Sequence, residues 1–444
     1  MMVSRRDFLR LSLGATVLGA GALTLSGCGS AADPNYVNLW GLWANDLPSQ
    51  EAIIRKFKNI HPEFKVKQSQ VPTSTQGDAS AVITAVRSGT APDLWLLDRF
   101  TTVQYAAIGL LEPINPIIKK YDTDSVKDVT SQWLDFTIDE MTYRNQLYGL
   151  PFTTDSRVLV YNKGALEKAN IDISALDPKN GAPTFEEVWK IADQFTRTDS
   201  KGNYTYMGFI PWEDQGSLYT WANNNGAQFY DRNSCSVTLL DPKLVESAND
   251  FAGWIKRLNY KKVDTFTATY EPPNHPPAQS AFNSGRLAMQ VMVPSSLSTV
   301  MEYVKDLKYG VTYLPVKKKG QKPKTWSGGF GLCVPKGANK SKMMWEFMKY
   351  YCSDPGESTA LKRYIALPAD HKALEDKSYQ KSISFFADAL AYSSHRPAIP
   401  VGNLLWNSLD AATSSLQQGS ATPRQALETA QKRVQPQLDP YCVA

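Results

Sequence analysis

The chain has 444 residues, of which 42% are hydrophobic and 20% charged, with a formal net charge of +5. That length and apolar content supply cores for two or three domains. The small net charge excludes nucleic acid as a partner: the one basic cluster, Lys317-Lys318-Lys319-Gly320-Gln321-Lys322, reads as a solvated loop.

The chain opens on SRRDFLRLSLGATVLGAGALTLSGC, Ser4 to Cys28. As a helix, its apolar run from Leu11 to Leu25 is about 22 Å long, short of the ~30 Å hydrocarbon core. A basic start (Arg5, Arg6, Arg10), an apolar middle and a small-residue end are the layout of an export signal. Ser-Arg-Arg-Asp-Phe-Leu-Arg resembles the twin-arginine motif, and Leu25-Ser26-Gly27-Cys28 resembles a lipobox. The expectation is a signal peptide over 1–27, a Cys28 that is acylated and becomes the first residue, and a tether over 28–35. The protein would then be water-soluble and anchored by lipid outside the cytoplasmic membrane, on its periplasmic or surface face. The other cysteines, Cys235, Cys333, Cys352 and Cys442, form no C-x-x-C, so neither zinc nor a disulfide framework is signalled. Export of an already folded chain suits a fold that needs no cross-links.

The mature chain alternates short strands and helices. YVNLWGLWAN (Tyr36 to Asn45) alternates as a strand, and Ser49 is placed to cap the helix QEAIIRKFKNIH. FKVKQSQV is a second strand; ASAVITAVRSG is helical and stops at Gly89. APDLWLLD is a continuous apolar run ending in an acid, as expected of a buried parallel strand whose carboxyl end meets a ligand cleft. Further on, LYGLPFTTDSRVLVYNKGALEKANI reads as strand, turn, strand and helix, and PTFEEVWKIADQFTR starts a helix at Thr184 with Glu187 closing a capping box. LVESANDFAGWIKRL, KSKMMWEFMKYYCSDP and QALETAQKRVQPQL are amphipathic helices; LAMQVMVP, YGVTYLPV and FGLCVPKG are strands. The succession is an open α/β fold.

Eight stretches in this order resemble the family 1 extracellular solute-binding proteins of bacterial ABC sugar importers, a group that includes maltose and maltodextrin receptors. They are SGTAPDLWLLDRF, GLLEPI, LYGLPFTTDSRVLVYNK, PTFEEVWKIA, AFNSGRLAMQVMVP, YGVTYLP, SGGFGLCVPKGANKSKMMWEFMKYYCSDP and LLWNSLDAATSSLQQGSATPRQALETAQKRV. The resemblance implies a periplasmic-binding-protein-like fold of two discontinuous α/β lobes: 36–154 with 329–366, and 155–328 with 367–444. It implies hinge crossings near Thr153 to Asp155, Trp326 to Gly329 and Ala366 to Asp370, with a cleft between the lobes. The implied partners are a sugar or oligosaccharide and the permease subunits of an importer, for a monomeric receptor without cofactor, metal or catalysis.

A sugar offers apolar ring faces and a rim of hydroxyls, so its site needs flat aromatic platforms plus ionised or amide groups. A carboxylate accepting a hydroxyl proton contributes about 1.5–3 kcal/mol, whereas an unpaired buried hydroxyl costs about 1–3 kcal/mol. The candidates lie near strand ends and turns: Trp43 and Asn45 after the first strand; Trp212, Trp221 and Asn225 in FIPWEDQ and LYTWANNNGAQ; Met292 at a strand end. Trp326, Gly328 and Gly329 sit at the second hinge, where glycines permit close approach and torsional change, and Arg396 precedes the segment that carries Trp406. The resemblance places an acid and a base on sugar hydroxyls at Asp98 and Arg99, a ligand-contacting acid at Asp155 and an aromatic platform at Trp406. H-E-x-x-H, G-x-S-x-G and the P-loop are absent, which argues against the commonest hydrolase and nucleotide chemistries. A receptor for a non-sugar solute (a peptide, polyamine or phosphodiester) and, less favoured, a secreted carbohydrate-active enzyme are the alternative readings.

Overall fold

The computed structural model describes residues 33–41, 47–71, 79–361, 366–376 and 383–442. Cys28, Trp43 and Asn45 lie outside them. No helix among the described residues is long and apolar enough to cross a membrane.

Two five-stranded sheets organise the described residues. In the first, the order is Lys65–Ser69, Tyr36–Trp40, Leu94–Asp98, Phe330–Cys333 and Gly149–Pro151. Its first three strands are parallel, and Phe330–Cys333 runs against Leu94–Asp98 with Phe330 opposite Asp98. Leu94 to Leu97 are buried on both faces, which is why this strand reads as an unbroken apolar run. The helix Leu47–Ile60 covers one face with Ile53, Ile54 and Phe57, and Phe57 meets Phe64 and Phe347 edge-on in an aromatic cluster beneath it. That helix begins at Leu47, so Ser49 is a buried first-turn residue rather than the cap.

The second sheet has the order Gly310–Thr312, Val158–Tyr161, Leu287–Met292, Tyr204–Phe209 and Arg197–Thr198. The helix Phe185–Phe195 starts with the expected capping box between Thr184 and Glu187. The helices Pro242–Leu258, Gly402–Gln418 and Pro423–Leu438 complete this core. Cys235 and Cys442 are disulfide-bonded, against the expectation of a fold without cross-links. The bond ties the end of the last helix to the hairpin at 230–237, a pairing across 207 residues that no local spacing announces. Cys333 and Cys352 are buried free thiols.

The chain passes between the sheets through short paired segments. Gly149–Pro151 belongs to the first sheet and Val158–Tyr161 to the second; between them Thr153–Thr154 pairs with Leu367–Pro368. Thr325–Ser327 pairs with Ser393–His395 before the chain enters Phe330–Cys333. The crossing expected at Ala366 to Asp370 is more involved. Leu367 lies in the second core but Ala369 lies in the first, and the His371 N–H donates to the Gln132 carbonyl, before Ile383 and Phe386 join the second core. The result is a bilobed α/β architecture with discontinuous lobes.

Candidate ligand-binding site

Asp98 ends the central strand of the first sheet. Its carboxylate caps the turn Arg99–Thr101 by accepting from the Phe100 N–H at 3.1 Å, and takes a hydrogen bond from Arg396 Nη2 at 2.5 Å. Arg396 follows the Ser393–His395 strand, so this charge-assisted pair joins the two lobes. Arg396 is 4% exposed, and burial, which alone would lower its pKa, is outweighed by Asp98 and Glu140, so the guanidinium is held above its usual value.

Aromatic rings surround that cation. The Arg396 guanidinium lies 4.4 Å from the Phe100 ring centre, 5.4 Å from Trp326 and 5.6 Å from Trp406. Trp326, Trp406 and Tyr219 pack mutually at 5.3–5.6 Å, and burial pushes the Tyr219 phenol well up. A cavity of about 150 Å³ opens here, lined by Asp98, Phe100, Thr101, Arg396, Asn403, Trp406, Asn407 and Asp410. Asn403, Trp406, Asn407 and Asp410 recur at helical spacing along Gly402–Gln418, which gives one helix a face of amides, a carboxylate and an indole.

A second group adjoins through Trp326. Arg157 lies over the Trp326 ring at 3.2 Å and donates to the Trp326 carbonyl, to Gln215 and to Asp155. Burial pulls the Arg157 guanidinium down from its ordinary value, with Asp155 opposing. Asp155 also accepts the Gly328 N–H at 2.5 Å. At Gly329 φ is +131°, and a Cβ there would strike the Thr153 carbonyl, so the chain can cross at this point only as glycine.

The structure therefore brings Asp98, Arg396, Trp326 and Trp406 together, with Asp155, Gly328 and Gly329 beside them, and sends other candidates elsewhere. Arg99 is fully buried; it donates to Glu140 at 3.0 Å, to the Gly328 carbonyl at 2.8 Å and to the Thr153 carbonyl. Its guanidinium holds two crossing segments together instead of facing the cavity, a correction to its expected contact with ligand hydroxyls. Burial raises the Glu140 carboxyl, with Arg99 as the strongest opposing charge. Trp221 is 3% exposed, gives its indole N–H to the Pro211 carbonyl and packs on Phe185, Phe209 and Trp254. Trp212 packs on Phe251 and Tyr260, and Met292 is buried in the same core. Asn225 donates to the Lys243 carbonyl, Glu246 and Ser247, joining two helices. Trp212, Trp221 and Asn225 were expected at the ligand because turns surround them, and Met292 because it ends a strand; the packing partners and hydrogen-bond acceptors that hold them come from other elements.

Phe100, Tyr219, Asn403, Asn407 and Asp410 were not anticipated. The helical face of the last three was legible in the sequence, whereas Tyr219 carries no local signal. No group of three or more His, Cys, Asp or Glu side chains arranged to hold a metal occurs among the described residues.

Comparison with known proteins gives a consistent result. The family model described as "Bacterial extracellular solute-binding protein" matches residues 40–357. The sn-glycerol-3-phosphate-binding periplasmic protein of Salmonella typhimurium is 23% identical over 95% of this chain and 97% of its own. The maltotriose-binding protein of Pyrococcus abyssi is 22% identical over 88% of this chain and 78% of its own. Among solved structures, CpMnBP1 with mannobiose bound superposes with a TM-score of 0.75 at 22% identity, covering 90% of this chain and 99% of that one. The GacH receptor of Streptomyces glaucescens, studied with acarbose, gives 0.69 at 20% identity over 91% and 98%.

Proposed function

Because this chain belongs to the bacterial extracellular solute-binding proteins, we propose that it captures a sugar or oligosaccharide at the Asp98–Trp406 cavity and hands it, chemically unchanged, to the permease of an ABC importer. The observation that carries the sugar reading is the pairing of an indole with carboxylates and amides in one cavity. Trp406 offers a platform for a ring face, with Phe100 packed edge-on behind it; Asp98, Asp410, Asn403 and Asn407 offer acceptors and donors for hydroxyls. Two or three charge-assisted hydrogen bonds plus stacking reach the ~8 kcal/mol of a micromolar complex.

The cavity, at about 150 Å³, is smaller than the ~300–1,000 Å³ of most small-molecule pockets. An oligosaccharide therefore enters as the lobes part, and a ligand that touches both lobes favours the closed form by its differential affinity. Cys28 serves as a lipid anchor on the outer side of the cytoplasmic membrane, and the receptor acts as a monomer.

A phosphorylated solute is the second reading, since several relatives are sn-glycerol-3-phosphate-binding periplasmic proteins. The lining of the cavity disfavours it: two carboxylates, Asp98 and Asp410, line it beside one guanidinium that Asp98 already engages. A thermal-shift panel of mannose- and glucose-based oligosaccharides, with glycerol 3-phosphate alongside, separates the two. At 100 times its dissociation constant a ligand adds about 2.7 kcal/mol. Stabilisation by a saccharide recovered intact supports the proposal; stabilisation by glycerol 3-phosphate alone, or recovery of cleaved saccharide, contradicts it.

A further inference from the structure

Next to the Asp98–Arg396 pair, a second ionic cluster spans the lobes. Asp139 belongs to the helix Asp135–Glu140, whose Ile138 packs on the first core. Its carboxylate meets two groups from the second lobe: His395 Nε2 at 2.9 Å, and Arg232 Nη2, which reaches both oxygens at 3.0 and 3.2 Å. The other ring nitrogen of His395, Nδ1, lies 2.6 Å from the Arg396 carbonyl oxygen. Both imidazole nitrogens thus face atoms that can only accept, a carboxylate and a carbonyl. A neutral imidazole has one N–H and would set a lone pair against one acceptor or the other, so only the imidazolium satisfies both contacts.

From this geometry we infer that Asp139, Arg232 and His395 form an interlobe latch, which positions the Ser393–His395 strand, and through it Arg396, against the Asp98 cavity only while the imidazole is doubly protonated. Arg396 is the next residue in the chain, so the same stretch of backbone that accepts from His395 carries the guanidinium to Asp98. Arg232 sits on the hairpin at 230–237, which the Cys235–Cys442 disulfide and hydrogen bonds from Val237 and to Cys235 through Gln435 hold to the last helix. The disulfide thereby fixes the base of the latch.

Two carboxylates of the first lobe face His395. Asp139 and Glu140 come from the helix of the first lobe, Arg232 from the hairpin beyond Asp139, and the next residue in the chain, Arg396, presents its carbonyl to the ring while its guanidinium turns to Asp98. Asp98 and Arg99 lie behind Arg396 and Glu140, each paired to its neighbour. Burial opposes the His395 charge, but Asp139 and Glu140 outweigh it and hold the imidazole above its ordinary value; in turn the His395 hydrogen bond holds Asp139 below the usual carboxylate range.

The direction of the pH effect follows. The closed arrangement binds the proton more tightly than a parted one, so the latch is complete below the ordinary imidazole value and is lost as pH rises through the raised one. Each pH unit between the two midpoints changes the closed-to-open ratio tenfold. Closure itself rests on the proposed receptor reading, so the test uses no saccharide.

The chain has four histidines, few enough to follow individually by NMR in the full-length protein. The His395 ring resonance is expected to titrate above about 6.5 in the parent and to return toward that value in Asp139→Asn. Small-angle scattering of the same samples is expected to show the parent expanding across that midpoint and Asp139→Asn showing no such step. His395→Gln, which cannot carry the charge, is expected to stay expanded at every pH. A His395 midpoint at or below the ordinary value, a midpoint unmoved by Asp139→Asn, or scattering without a step at the midpoint overturns the latch. A protein that bound no saccharide at all would still report these outcomes, so the two proposals fail separately.

Discussion

Replacing Arg99 by methionine distinguishes a residue that holds the fold from one that holds the ligand. Arg99 and Glu140 are both fully buried and paired at 3.0 Å, and Arg99 also satisfies the carbonyls of Thr153 and Gly328. Removing one partner of a buried ion pair costs about 3–5 kcal/mol, because the other charge is left without compensation. Against a total stability of about 5–15 kcal/mol, Arg99→Met should remain folded at 25 °C with a clearly lowered urea midpoint. Replacing both ions by apolar groups is often neutral or stabilising. The double variant Arg99→Met/Glu140→Leu should therefore be more stable than Arg99→Met, with only two carbonyls to rehydrate at about 1–3 kcal/mol each. Urea unfolding of the parent, both single variants and the double variant, fitted with a common slope, completes the cycle. An Arg99→Met protein within about 1 kcal/mol of the parent, or a double variant as unstable as the sum of the singles, would refute the structural role.

Trp406→Ala removes the ring that packs against Phe100, Tyr219 and Trp326 at the cavity, and should weaken saccharide binding at least tenfold, about 1.4 kcal/mol, in a fluorescence titration; unchanged affinity would move the site elsewhere. Replacing Cys235 and Cys442 together by serine should lower stability by about 2–4 kcal/mol, read as a fall in Tm that dithiothreitol reproduces in the parent. Glu357 is fully buried, with one oxygen accepting the Asp370 N–H at 3.1 Å and the other without a side-chain hydrogen-bond partner among the described residues, and burial raises its pKa well above the carboxylate value. A native value raised above the unfolded one means that stability falls as pH climbs past about 4.5; Glu357→Gln should flatten that fall, and a variant with the parent's pH profile would exclude the group as its source.

Local physics made much of the fold readable. The Thr184–Glu187 capping box and the run Leu94 to Leu97 declare themselves within a few residues, and both form as expected. The carboxyl end of that run also pointed to Asp98, which meets Arg396 across 298 residues. What sequence reading missed depends on partners far along the chain. Arg99 follows an exposed-looking acid yet turns inward, because Glu140 and two crossing carbonyls wait there. Trp221 looks costly in a polar turn until Phe185, Phe209 and Trp254 surround it. The Cys235–Cys442 bond follows the same logic: a spacing of 207 carries no signal until helix and hairpin are docked.

Whether the Asp98–Trp406 cavity is a saccharide site is decided by isothermal titration of the purified protein with mannose- and glucose-based oligosaccharides, repeated on Asp98→Asn and Trp406→Ala. The parent is expected to bind an intact saccharide at one site, and both variants to lose affinity tenfold or more. Binding of glycerol 3-phosphate in place of every saccharide, or saccharide binding that both substitutions leave unchanged, would contradict it.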